Sequence, residues 1–153
     1  MRTIAGLLLL AAGLMVSAPT ILADTTEDHK KLEGKWKVTS ASVSGMTMPA
    51  KEREKVRVVF SGEKLSILGS PDGDKHTTYK IDPSKKPATI DIAPPPGKQN
   101  DALGIYQFDG TALTLCFAEG SARPIDFKDT KNALVLVLEK EKEKDKEKEK
   151  GKE

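Results

Sequence analysis

The side chains that could do chemistry are few and scattered. The two histidines, His29 and His76, lie far apart, and neither has a second ligand at the spacing of a metal site. Asp74 beside His76 is the nearest approach to a shared site, and solvated surface positions account for both imidazoles. Cys116 is the sole cysteine. It alternates with Leu115 and sits among small residues with no base indicated nearby, which is the setting of a packed thiol rather than a nucleophile. Asp72, Asp74, Asp82 and Asp91 fall near turns or on an outer strand face and do not reproduce a calcium loop. Gly69-Ser70 and Gly120-Ser121 lack the rest of a hydrolase nucleophile turn, and no glycine-rich phosphate loop follows a strand. The sequence therefore points away from an enzyme, and it implies no metal and no cofactor.

These residues must be held by a sheet. From Gly34-Lys35-Trp36 onward the chain alternates apolar and polar residues in short runs broken by turn signals. Residues 38–43 are small and β-branched. Val56, Val58 and Phe60 share one face of the next run, followed by Leu65 and Ile67 and then by Thr77, Tyr79 and Ile81. Ser70-Pro71-Asp72-Gly73 is a turn set by proline and glycine. Ile90 and Ile92 share a face, and Pro94-Pro95-Pro96 opens a stiffened loop over 94–101. Residues 104–108 and 112–117 flank Asp109-Gly110, the favoured two-residue hairpin turn. Leu113, Leu115 and Phe117 share one face, and Cys116 lies on the other. Residues 123–127 suit a short strand or an extended connector, and Leu134, Leu136 and Leu138 share a face of the last run. About eight antiparallel strands with no room for crossover helices predict an all-β fold, an up-and-down barrel closed on itself. A two-sheet sandwich uses the same strand pattern.

The ends are different in kind. Arg2, the apolar run 4–16 and the small residues up to Ala23 have the layout of a secretory signal peptide over residues 1–23, too short for an ordinary membrane span. A retained apolar anchor is the rival reading. The expected location is thus exported: periplasm, cell envelope or extracellular, with no integral span after signal removal. Removing Arg2 takes the formal net charge from +2 to +1, so no strong field draws the chain to nucleic acid or to anionic membrane. Aromatic residues make up 5% of the chain, too few for a base-stacking surface. Asp24-Thr25-Thr26-Glu27 has the spacing of a helix cap, predicting a short N-terminal helix through Leu32 that Gly34 ends. Residues 24–139 are the barrel domain. Residues 140–153 alternate lysine with acid, which sets like charges at i,i+4 and predicts a solvated, disordered tail.

Trp36 can be structural, a ring that closes one end of the barrel with Leu32 and a late residue such as Arg123 over its face. It can also be a pocket wall. An eight-strand interior is just wide enough to be filled by side chains or to hold one small molecule. In the second case Tyr79, Phe108 and Phe117 are the expected ligand-binding residues.

Leu32-Glu33-Gly34-Lys35-Trp36-Lys37-Val38, Thr89-Ile90-Asp91, Gly104-Ile105-Tyr106, Leu113-Thr114-Leu115-Cys116 and Arg123-Pro124 with Phe127 together resemble a small lipocalin-like domain abundant in planctomycete bacteria, a family without an established biochemical function. Gly34-Lys35-Trp36 is also similar to the Gly-x-Trp opening of true lipocalins. That similarity implies a tryptophan closing the barrel base and a late arginine packed on it, for which Arg123 is the sole arginine after Arg57. The chain is shorter than a typical lipocalin and lacks the internal disulfide and the long C-terminal helix. Two functions follow as expectations. One is an exported lipocalin-like domain binding a small apolar molecule, or an envelope protein, in or through its barrel. The other is a non-enzymatic structural or protein-interaction module with a filled core, acting through the 94–101 loop or the tail.

Overall fold

The computed structural model describes residues 22–118, 122–128 and 132–142. Most of the expected signal segment and the tail beyond residue 142 lie outside the described residues. Helix α1 spans Leu22–Leu32, and strand β1, Gly34–Val43, follows directly. Asp24 lies inside α1, so the helix does not begin at the expected cap. Gly34 takes a φ of +118° at the junction, a backbone region that favours glycine, which is why the chain can turn from helix axis to strand there.

A two-residue strand β2, Met46–Thr47, folds back on β1 through Ser44-Gly45, and the four-residue helix α2, Ala50–Arg53, follows it. Neither element was expected from the sequence. The remaining strands are β3 Arg57–Ser61, β4 Lys64–Leu68, β5 Lys75–Asp82, β6 Ala88–Ile92, β7 Ala102–Asp109, β8 Ala112–Ala118 and β9 Ala133–Lys140. Residues 123–127 form a connector rather than a strand.

Sequence neighbours pair antiparallel from β3 to β9, and β1 pairs with both β3 and β9. The result is an eight-stranded closed antiparallel barrel in up-and-down order, with β2 as a short flap on β1. The register carries the expected alternation inward. Val58 faces Ile67, Phe60 faces Leu65, Tyr79 faces Ile92, and Leu115 lies between Tyr106 and Leu136. The inward side chains form one apolar cluster from Leu32 and Trp36 through Phe60, Tyr79 and Tyr106 to Leu138. Among the described residues no polar or charged side chain is buried.

The two ends of the barrel are built differently. At the α1 end the strands are joined tightly, by residues 62–63, 83–87 and 110–111. At the other end lie the longer connections: residues 44–56, 69–74 and 93–101, and the β8–β9 connection, described over residues 122–128. No helix among the described residues is long and apolar enough to cross a membrane.

Gly104 is inward on β7, opposite Phe117 on β8. A Cβ there would run into the Phe117 ring and the Cys116 carbonyl. The small residue lets a large ring fill the barrel without pushing the strands apart. Replacing Gly104 with alanine is expected to cost about 1–3 kcal/mol through overpacking. Urea denaturation measures this, and an unchanged midpoint would show that the ring moves aside freely.

Candidate functional site

The α1 end is closed by side chains that reach across it. Leu32, on the last turn of α1, is fully buried. The indole N–H of Trp36 donates to the Leu32 carbonyl at 2.7 Å, so the ring satisfies one of the carbonyls that a helix C-terminus leaves open. Trp36 and Leu32 therefore meet at the α1 end.

Arg123 does not join them. Its guanidinium lies on the outer wall, where it donates to the Gly104 carbonyl at 2.7 Å and sits 2.6 Å from the Asp91 carboxylate. The cation over Trp36 is Lys140, with Nζ 5.4 Å from the ring centroid. The same ammonium donates to the Lys31 carbonyl at 3.0 Å, a second open carbonyl at the helix end. The exchange follows from register. Lys140 is the direct cross-strand neighbour of Trp36, whereas Arg123 arrives from the β8–β9 connection on the opposite side of the wall.

Two tyrosines finish the closure. The Tyr106 hydroxyl donates to the Asp28 carboxylate at 2.5 Å, and the Tyr79 hydroxyl shares a hydrogen bond with His29 Nδ1 at 3.2 Å. Lys31 adds its ammonium at 5.9 Å from the Phe108 centroid and 3.5 Å from Asp28. Asp28, Lys31 and Leu32 lie three and four residues apart, so one helix face presents all three. That spacing is a sequence signal for the docking face of α1, and it was missed beside the cap motif. Burial pushes the Tyr79 hydroxyl up to about 12, with Glu33 and Glu63 adding to the effect. Burial raises Tyr106 further, and its bond to Asp28 acts in the same direction.

The three expected ligand-binding residues are not brought together. Tyr79 and Phe108 belong to the α1 end, where Tyr79 packs edge-on against Phe60 at 5.0 Å and Phe108 edge-on against Tyr106 at 5.8 Å. Phe117 lies toward the opposite end, against Gly104. Tyr79 and Phe117 are 2% and 7% exposed, so they are used up in packing. His76 points outward, with Nδ1 2.9 Å from the Ser66 hydroxyl, and Asp74 instead accepts the Gly69 N–H. Tyr79 faces inward, so it and His76 lie on opposite faces of β5. Among the described residues no group of three metal-ligating side chains comes together. Cys116 is buried on the outer face, and burial, with Asp126 nearby, pushes its thiol up.

The open end has a different character. Val43 and Met46 are opposed across the β1–β2 turn and are 38% and 73% exposed. Met48, Val56, Ile92 and Leu134 are partly buried against the core behind them. Together they make an apolar rim, beside which the 94–101 loop also emerges. A separate concavity of about 210 Å³ lies against the β8–β9 connection, lined by Arg123, Pro124, Ile125 and Asn132 among others.

Comparison with protein-family models, with curated proteins and with solved structures finds no match. The barrel is consistent with lipocalin-like architecture.

The tyrosines fix the sign of an alkaline effect. Both are held protonated in the folded chain, whereas in the unfolded chain they ionise near the ordinary value of 10. Their contribution to stability is therefore complete below pH 10 and falls as pH rises from 10 toward 12. Urea midpoints across pH 8–11.5 are expected to fall above 10, and Tyr106→Phe with Tyr79→Phe should flatten that slope. Lys140→Met is expected to cost about 0.5–1 kcal/mol by removing the cation over the Trp36 ring, whereas Arg123→Met should leave Trp36 fluorescence unchanged.

Proposed function

We propose that the protein is a non-enzymatic binding module whose barrel is filled by its own side chains and whose open end presents an apolar rim to a partner in the cell envelope. The observation that carries this reading is the packing of the interior: Val58, Leu65, Ile90, Leu113, Leu115 and Leu138 are all at most 3% exposed and belong to one cluster with the end-closing rings. Protein interiors are ordinarily close-packed, and inward side chains gathered into one buried cluster leave little room for a guest. What stays available is the rim, where Met46 offers a flexible, polarizable side chain suited to adaptable contacts.

Export is part of the proposal, supported by the apolar run after Arg2 and the small residues before Asp24. The described contacts of α1 to the barrel include those of Asp28, His29 and Leu32, all beyond residue 23. The order of short motifs from Leu32 to Phe127 supports kinship with the planctomycete lipocalin-like domains. The absence of a catalytic role is likewise proposed. It is supported by the separation of His76, Tyr79 and Cys116, and the one histidine that meets Tyr79, His29, does so in the packed contact under α1 rather than beside His76 or Cys116.

A second reading is a small apolar molecule seated at the rim, favoured by Val43, Met46 and Leu134 lying at one mouth. Native mass spectrometry of the chain isolated gently from its host separates the two. The filled barrel predicts the bare polypeptide mass, and a stoichiometric adduct lost on denaturation would overturn it in favour of the small molecule. A photo-crosslinking residue at position 46 is expected to capture a protein partner in the host, while one at position 80, on the outer wall, should not. Equal capture from both positions would contradict a rim-directed surface.

A further inference from the structure

Strand β1 is ten residues long, but its pairing with β3 ends at Lys37 opposite Arg57. Beyond that pair β1 runs on beside β9 to Val43. On its other side it meets β2 and then Met48, whose N–H donates to the Ala41 carbonyl at 2.8 Å. Residues 46–56 thus complete the wall at the open end, where β3 stops short. Met48 on the outgoing limb and Val56 on the returning limb both pack against the core. The limbs are tied to each other. Arg53 Nη1 donates to the Met48 carbonyl at 3.3 Å, and Arg57 Nη1 donates to the Glu54 and Val56 carbonyls at 2.5 and 3.0 Å.

Gly69, just past the end of β4, sets where this segment lies. A Cβ there would overlap the carbonyl oxygen of Lys55, a backbone group that cannot swing aside as a side chain would. The Gly69 N–H donates to Asp74 Oδ1 at 2.8 Å, which closes the β4–β5 loop and fixes the glycine against Lys55. Its φ is +70°, and Gly73 in the same loop has a φ of +89°. The surroundings differ, however: a Cβ on Gly73 would meet open space. Gly73 serves the turn alone, whereas Gly69 serves both the turn and the contact. A shift of Lys55 reaches Val56 along the chain and Met48 through Arg53, and those two side chains floor the apolar rim.

We infer that Gly69 is the positioning residue of the rim: its missing side chain lets the β4–β5 loop seat the Lys55 carbonyl, and so holds Met48 and Val56 in the place where β1 and β3 part. The rim is therefore preformed, and a partner meets it without first ordering residues 46–56, a cost that would otherwise weaken binding. This consequence for binding rests on the rim being the docking surface proposed above.

Met46 and Met48 are the only methionines after Met15, so methyl NMR of the full chain with isotope-labelled methionine reads the rim directly. Gly69→Ala is expected to shift the Met48 methyl resonance. Gly73→Ala, which carries the same kind of backbone strain without the overlap, should lower the urea midpoint and leave that resonance in place. A merely structural glycine would not separate the two variants in this way. Asp74→Ala keeps Gly69 but removes its tether, and should move the Met48 resonance in the same direction by less. The inference is overturned if Gly69→Ala leaves the Met48 resonance unmoved, or if Gly73→Ala moves it as far. Should Gly69→Ala fail to fold, Asp74→Ala decides alone, and an unmoved Met48 resonance there overturns the inference. No partner enters this test, so its failure is distinct from failure of the crosslinking test of the rim.

Discussion

Pairing between β1 and β9 joins the two ends of the strand series, and the rest of the molecule depends on that join. Without it, β1 and β9 would each present a row of unpaired backbone groups to water or to another chain. The register runs from Trp36 opposite Lys140 to Val43 opposite Leu134, with one irregularity between Val38 and Ser40. At that point the Thr39 hydroxyl bonds the Val137 carbonyl at 3.0 Å, so the displaced residue still contributes a polar contact to the seam. Lys37 with Glu139 and Arg57 with Glu141 add charge pairs along the same stretch of wall. Because β1 pairs with β3 on its other side, Trp36 stands between Val58 and Lys140, and its ring closes the base from the strand that completes the circle.

That arrangement makes the barrel polar in the sense of having two unlike ends. At one end the helix brings Leu32, Asp28 and His29 down onto Trp36, Tyr106 and Tyr79, and every strand connection there is tight. At the other end the connections are long and apolar side chains are only partly covered. A buried apolar cluster between them separates the open rim from the tyrosine–carboxylate contacts under α1. The proposed function follows from this division: a stable, closed base and a surface free to vary.

Most of the wall was legible in the sequence because period-two alternation directly encodes which side chains turn inward. Val58 and Phe60, and Ile90 and Ile92, appear where their patterns place them, and the β7–β8 hairpin turns at residues 110–111, one residue later than Asp109-Gly110. The failures have physical causes. Lys140 was hidden in a Lys/Glu run without apolar residues, although backbone pairing to β1 carries β9 that far regardless of side-chain hydropathy. Arg123 was favoured because it is the only late arginine, but which face of the wall it reaches is decided by the path of the β8–β9 connection, which local pattern does not specify. The β1–β2 turn and α2 lie in a stretch of glycine, proline and charge that carries no periodic signal. Tyr79, Phe108 and Phe117 were grouped because all three face inward. Their heights along the barrel depend on strand stagger, which alternation leaves undetermined.

Amide hydrogen exchange resolved by residue tests closure most directly. If β1 and β9 seal the barrel, the amides of residues 40–42 and 135–137 exchange as slowly as those of the central β7–β8 pair, through one shared opening event. If β9 or the second half of β1 exchanges orders of magnitude faster than β7–β8, the sheet is open at that seam, and the closed barrel described above is wrong.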